Sequence, residues 1–279
     1  MQLDRAFRRS LRFALAGTLL LATAAPALAG PYAAAVMADS PFAYWRFNET
    51  SGTTAADSSG NGIAGTYVNT PTLGESGPLA GPGNTAVRFT RSSQEYMNVA
   101  ATFGGAGWNE LTVEAWVNVA SGSGDFQAIV SSLGMNFVHL QVFPIGGNVV
   151  FGTGGDAGLP ILTPAQTTGW HHVALTAKAG DQRLYLDGNL IGSAASPLGD
   201  VIAASPIRVG AGFSGGRFFD GWIDEVAIYR SALSEAQIDA HIAAASQTDT
   251  PEPASMALLG AGLLGLAGLR RRAAGLPSA

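Results

Sequence analysis

Between residues 42 and 229 the chain is a succession of short apolar or alternating runs, each closed by Gly, Asn, Asp, Ser or Pro. No long segment with a period of 3.6 residues occurs before Ser234, so the pattern dictates strands joined by tight turns. Leu111, Val113, Ala115, Val117 and Val119 fall on one face of a single run, with Thr112, Glu114, Trp116 and Asn118 on the other. Such alternation places one face of a strand against a core.

The expected strands are 42–49, 86–89, 96–99, 111–119, 126–131, 138–143, 148–152, 171–177, 183–186, 207–209 and 222–229. This number suits two packed antiparallel sheets better than a small barrel. Asp187-Gly188 between Leu186 and Leu190 is a two-residue hairpin signal, because both central positions of that turn need positive φ. The chain has no cysteine, so neither a disulfide nor a thiolate contributes, and the core must suffice alone. A single helix is expected in this region. It begins at Ser234, with Gln237 completing a capping box and Ile238 and Ile242 on one face.

The two ends carry addressing information. Arg5, Arg8, Arg9 and Arg12 precede an apolar run from Phe13 to Ala25, and Ala27-Leu28-Ala29 follows with the small residues signal peptidase requires. Residues 1–29 therefore read as a signal peptide cleaved after Ala29, and 30–245 as one exported domain. Residues 246–253 form a linker ending in Pro251-Glu252-Pro253, 254–272 an apolar segment with Arg270, Arg271 and Arg272, and 273–279 a tail. The sixteen apolar residues from Ala254 to Leu269 make a helix of about 24 Å, short for a hydrocarbon core of about 30 Å. The arginines mark its cytoplasmic side. Gly260, Gly262, Gly265 and Gly268 would suit a helix-dimer face.

Pro-Glu-Pro, a short apolar helix and an arginine cluster, in that order, resemble the PEP-CTERM sorting signal. The resemblance implies recognition and cleavage by an exosortase, with transient anchoring in the inner membrane and delivery to the envelope or an exopolysaccharide matrix. Without the two end segments the domain holds eight basic and 18 acidic residues, a formal charge of −10. That charge excludes nucleic acid as a partner, since nucleic-acid binders need clustered Lys and Arg over their surface.

Tyr44 to Glu49, Asp57-Ser58-Ser59-Gly60-Asn61-Gly62, Leu111 to Val117, Trp170 to Ala174, Leu184 to Gly188 and Phe219 to Tyr229 occur in that order. Together they resemble a laminin-G-like, concanavalin A-like jelly-roll domain over roughly residues 31–245. The resemblance implies two curved antiparallel sheets with the first and last strands adjacent in one of them.

The loop 57–62 offers a carboxylate, an amide oxygen and free carbonyls, the ligands a hard cation such as Ca²⁺ takes. If the terminal strands are adjacent, Asp224 and Glu49 are placed to join Asp57 and Asn61 in a structural calcium site. The alternative is that Asp57 and Asn61 make only an Asx turn, with Gly60 and Gly62 left-handed. Adjacent His171 and His172 point to opposite faces and cannot share a metal, and His139 and His241 lack ligand spacing. The chain has no Glu-x-Asp-x-x-Glu strand of the kind glucanases of this fold carry, and no Gly-x-Ser-x-Gly elbow.

The reading is a noncatalytic surface or matrix protein binding carbohydrate or an extracellular protein. A glycoside hydrolase or lyase on the same fold is the alternative. Trp108, Phe143, Phe213, Phe218 and Phe219, in or beside Gly-rich loops, are the candidate sugar platforms, each with an equally good role as a core plug.

Overall fold

Glu110–Val119 (β7) forms the centre of one sheet, and its alternation sends Leu111, Val113, Ala115, Val117 and Val119 into the main core. The computed structural model describes residues 30–120, 126–132, 140–145, 148–153, 169–195, 204–212 and 216–247. Among them the order is α1 (Pro31–Ala38), β1 (Ala43–Trp45), β2 (Thr54–Ala55), β3 (Gly65–Val68), β4 (Thr72–Ser76), β5 (Thr85–Phe89) and β6 (Tyr96–Phe103). After β7 come β8 (Gln127–Ser132), β9 (Leu140–Ile145), β10 (Asn148–Thr153), β11 (Trp170–Lys178), β12 (Asp181–Leu186), β13 (Asn189–Ala194), β14 (Ser205–Val209), β15 (Gly221–Tyr229) and α2 (Glu235–Ala245).

The strands make two antiparallel sheets packed face to face as a jelly-roll sandwich. Sheet A runs β13-β12-β11-β7-β15-β5-β4, with β1 also paired to β15; sheet B runs β10-β9-β8-β14-β6-β3-β2. The first and last strands are therefore neighbours, through the pairs Ala43 with Ile228 and Trp45 with Val226. The core between the sheets includes Trp45, Phe89, Met97, Phe103, Val117, Leu175, Ile207 and Ile223. Each such side chain contributes about 1.5–3 kcal/mol on burial, so no covalent staple is required.

All eleven expected strands that fall on described residues are present, with ends shifted by a few residues. Four more were not anticipated: β2, β3, β4 and β13. Their sequences lack a clean apolar alternation, and their burial is patchy because they lie at or near sheet edges. α1 was also not anticipated. Pro31 at its first turn followed by alanines favours a helix, but the segment is apolar on every side and so shows no period.

α2 starts as expected, with Ser234 Oγ accepting from the Gln237 N–H and Gln237 Oε1 from the Ser234 N–H. Its buried stripe is Ile238, His241 and Ala244 rather than Ile238 and Ile242. α1 and α2 pack together over the outer face of sheet A. That face is consequently buried as well: Tyr32, Val36, Tyr44, Ala174, Tyr185, Ala227, Tyr229 and Ile238 form a second cluster there.

Among the described residues no helix is long and apolar enough to cross a membrane. Residues 1–29 and 248–279, with the expected signal peptide and sorting segment, lie outside the described residues.

The Asp187-Gly188 turn pairs Leu186 with Asn189, and both turn residues have positive φ, 50° and 84°. A Cβ on Gly188 would also sit 3.2 Å from Asp239 Oδ1 and 3.3 Å from Ile242 Cγ1 of α2. Gly188→Ala should therefore destabilise the protein by about 1–2 kcal/mol, seen as a lowered melting temperature; an unchanged midpoint would show that the turn tolerates a Cβ.

Candidate functional site

The Asp57 loop is knitted to β1. Asp57 Oδ1 accepts the N–H groups of Tyr44 (3.0 Å) and Ser59 (2.9 Å), and Oδ2 accepts the N–H of Ile63 (2.8 Å) and the Ser59 hydroxyl (2.8 Å). Burial pushes this carboxyl up, but the donors from Ile63, Ser59 and Tyr44 outweigh it and hold it below the usual range. Asn61 donates its amide to the carbonyls of Pro41 and Phe42. Glu49 accepts from the Ala56 N–H (2.7 Å) and the Tyr67 hydroxyl (3.0 Å).

Asp224 lies in β15, with Oδ1 accepting from the Glu225 N–H and Oδ2 buried without a hydrogen-bond partner. Burial, then Glu225, and more weakly Glu49, push its carboxyl well up. No group of three or more His, Asp or Glu positioned for a metal ion occurs among the described residues. The donor set suits a cation poorly, since Asp57 spends its lone pairs on N–H and O–H groups and Asn61 presents donors.

β15 carries a bulge at its middle. Asp224 pairs with Trp116 and Ala227 with Glu114, so Glu225 and Val226 both lie opposite Ala115, and Glu225 has a φ of 50°. The bulge interrupts the strict alternation that would put Asp224 and Glu225 on opposite faces. Glu225 faces the helix layer, where Arg46 Nε donates to it at 3.3 Å and the Tyr44 hydroxyl donates a short bond. Burial drives Glu225 up to about 7, only partly opposed by Arg46 and Tyr44.

Next to it, Glu114 accepts from the Tyr229 hydroxyl (2.5 Å), and its Oε2 faces His241 Nδ1 at 3.1 Å and His172 Nε2 at 3.4 Å. Burial raises Glu114, but its two histidine partners overturn that and hold it at about 2. Burial lowers His241, yet Glu114 and Asp39, at 3.0 Å from Nε2, leave it raised overall. His241, which lacks ligand spacing in the sequence, is carried into this layer by the buried stripe of α2. Two carboxyls with separated proton affinities are what acid–base chemistry requires, but Glu114 and Glu225 are wholly buried under α1 and α2.

The open site lies at one end of the sandwich. A cavity of about 670 Å³ is lined by Arg88, Thr90, Arg91, Ser92, Gln94, Phe218 and Asp220, drawn from the β5–β6 connection and the segment entering β15. Asp220 organises it, accepting from Arg88 Nη2 (2.9 Å) and the Arg91 N–H (3.5 Å), while its own N–H donates to Gln127. Arg88 also stacks 4.7 Å over Trp222, whose indole N–H donates to Glu75. Tyr96 lies 6.1 Å from Phe218, with Arg208 4.8 Å over its ring.

Of the expected platforms, Phe218 lines this groove, whereas Trp108 and Phe219 are core plugs. Phe213 and the side chain of Phe143 lie outside the described residues. The arginines and Gln94 were not anticipated, because nothing in linear spacing joins residues 88–94 to 218–220.

A family model described as the concanavalin A-like lectin/glucanases superfamily matches residues 90–239, just over half of the chain. The chain belongs to this superfamily. The concanavalin A-like domain is followed by a match to the PEP-CTERM protein-sorting motif over residues 249–272. A comparison with curated proteins gave no match.

Among solved structures the domain is similar to domain 4 of AbnA, a GH43 extracellular arabinanase from Geobacillus stearothermophilus, in complex with arabinotriose. The identity is 20%, with 74% of this chain and 98% of that one covered and a TM-score of 0.52. It is similar also to the receptor-binding domain of botulinum neurotoxin mosaic serotype C/D (16% identity, 74% and 51% covered, TM-score 0.54). A third likeness is to the ligand-binding domain of serotype D neurotoxin in complex with N-acetylneuraminic acid (17%, 75% and 52%, 0.54). The chain spans about half the length of these neurotoxin chains. At such identities the likeness establishes the fold.

Two outcomes follow. Asp57→Ala strips an acceptor from four donors and should cost about 1–3 kcal/mol, equally in calcium and in EGTA. A loss of melting temperature confined to calcium-containing buffer would instead assign Asp57 to a cation site.

The buried layer also makes stability depend on pH. Glu225, raised above its usual 4.5 to about 7, contributes stability that is complete below 4.5 and lost as pH rises through 7. His241, raised above 6.5, acts in the same direction at higher pH, whereas Glu114 contributes above 4.5 and loses its contribution only towards pH 2. Stability should be greatest near pH 5 and fall towards pH 8, by an amount on the order of 3 kcal/mol from Glu225, with the raised Asp224 acting in the same direction, and the melting temperature should follow. Glu225→Gln should flatten this fall; an equal slope in the variant would remove Glu225 as its source.

Proposed function

We propose that the domain is a noncatalytic carbohydrate-binding module, delivered by the PEP-CTERM motif and an exosortase to the cell envelope or an exopolysaccharide matrix. The observation that carries this reading is the groove at the end of the sandwich. It is a wide opening that combines an aromatic side chain, Phe218, with hydroxyl, amide and guanidinium groups from Thr90, Ser92, Gln94, Arg88 and Arg91. Saccharide sites need an apolar surface for the ring and a few fixed polar groups for the hydroxyls.

The similar structures support the reading in kind. One is in complex with arabinotriose and another with N-acetylneuraminic acid. A botulinum neurotoxin DC binding domain of the same fold (15% identity, TM-score 0.56) is in complex with rat synaptotagmin II, so a protein ligand is the nearest competing class.

Glu114 and Glu225 favour a second reading, a carbohydrate-active enzyme, because their proton affinities are split. Their burial beneath α1 and α2 opposes it, since substrate would have to displace both helices. Calcium has no part in the proposal.

The full chain, purified in detergent, should bind glycans on an array above background and release no sugar from glucans, alginates or galactans. Phe218→Ala should weaken binding about tenfold, equivalent to about 1.4 kcal/mol. Turnover of any of these polymers, abolished by Glu114→Gln or Glu225→Gln, would establish the enzyme reading in its place.

A further inference from the structure

We propose that the groove takes a neutral polysaccharide and discriminates against acidic ones, with Asp220 as the residue that sets this preference. The inference rests on the carbohydrate-binding reading and names its ligand class. Formal charges around the groove balance among the described residues. Arg88 and Arg91 line it together with Asp220, and the buried Glu95 accepts the Thr90 N–H at 2.6 Å.

The guanidinium groups are already used. Arg88 Nη2 donates to Asp220 Oδ1 at 2.9 Å and its Nη1 to the carbonyls of Phe89 and Gly221, while its plane lies 4.7 Å over Trp222. Arg91 is engaged within the protein, and its Nη1 is buried. Neither offers an unpaired cation to an anionic ligand. Glu75, which accepts from the Trp222 indole, adds a further negative charge beside Arg88. The exported domain as a whole has eight basic against 18 acidic residues, so its field repels polyanions, and the balanced charges at the groove do not reverse it.

What remains for a ligand is chemistry for hydroxyl groups. Asp220 Oδ1 accepts from Arg88 and, at 3.5 Å, from the Arg91 N–H, which fixes the carboxylate before a ligand arrives. Its Oδ2 has no partner among the described residues, and the side chain is 26% exposed, so this oxygen is an accessible acceptor in the groove wall. The hydroxyls of Thr90 and Ser92 and the amide of Gln94 are likewise without partners among the described residues. Gln94 holds the left-handed position that ends the short 3₁₀ turn Arg91–Ser93. A sugar hydroxyl donating to Asp220 makes a charge-assisted bond, whereas a ligand carboxylate or sulfate at the same place sets two anions together. The cavity of about 670 Å³ lies in the range of sites that enclose a drug-sized ligand, so it accepts a short run of rings.

The test is equilibrium binding of the full chain, purified in detergent, to neutral galactan, arabinan and dextran, to alginate and polygalacturonate, and to a sulfated galactan. At least one neutral polymer should bind about tenfold or more tighter than every acidic one. Its affinity should change less than about twofold between roughly 50 mM and 500 mM NaCl, because no charge pair forms between ligand and groove to be screened.

Asp220→Asn removes the anionic acceptor at nearly constant shape and should lower the neutral-to-acidic affinity ratio about tenfold. Asp181→Asn, which removes a negative charge from β12 across sheet A, should leave that ratio unchanged. If Asp220→Asn fails to fold, Gln94→Lys carries the test: an unpaired cation at this exposed position should lower the same ratio and make binding salt-dependent. Acidic polymers bound as tightly as neutral ones overturn this inference and leave carbohydrate binding standing. A ratio unchanged in a folded Asp220→Asn variant removes Asp220 as its source. No glycan binding at all overturns both readings.

Discussion

β15 is held along one edge by β7 and along the other by β5 and then β1, and most of the domain hangs on that shared strand. Its first residues pair with β5, through Ile223 and Val87, and its last with β1, through Val226 and Trp45. The bulge at Glu225 falls where the neighbour changes, which lets one strand serve two partners of different register. The earliest and latest segments of the domain are thereby closed onto each other by backbone hydrogen bonds, in a chain that has no cysteine to do it. Asp57 reinforces the closure by gripping the Tyr44 N–H of β1, and Asp220 at the head of β15 sets the arginines of the groove.

The same strand determines where charge is buried. With α1 and α2 laid over the outer face of sheet A, Glu114, Glu225 and Asp224 have no water to solvate them. Glu114 is held by two imidazoles and a tyrosine hydroxyl and Glu225 by Arg46 and Tyr44, while burial and Glu225 push the Asp224 carboxyl well up. A layer of this kind links the two helices to the sheet through Asp39, which receives Gln237 and His241 of α2. It is specific rather than strongly stabilising, because desolvation offsets most of the Coulombic gain.

Leaving the outer face of sheet A roofed has a functional consequence. The outer face of sheet A is closed by α1 and α2, and the proposed carbohydrate site lies at the end of the sandwich, where loops from separate parts of the chain meet around Phe218. That end also carries Arg88 and Arg91. The sorting motif lies beyond α2 in sequence, after the helix whose packing completes the roof.

The sandwich, its two sheets, the hairpin at Asp187-Gly188 and the capped helix at Ser234 were legible from local pattern alone. Alternation, turn chemistry and caps act between residues a few positions apart. The sorting motif was legible for the same reason, as a linear signal. The helix α1 was not, because an all-apolar octet has no period and becomes a helix only when sheet A offers a face for Tyr32, Ala33 and Val36. The grouping of residues 88–94 with 218–220, the inward turn of His241, and the burial of Glu114 and Glu225 on one face were decided by tertiary structure. Each depends on strand neighbours more than a hundred residues apart and on a single bulged residue, and a one-residue change of register reverses which side of a sheet a side chain faces.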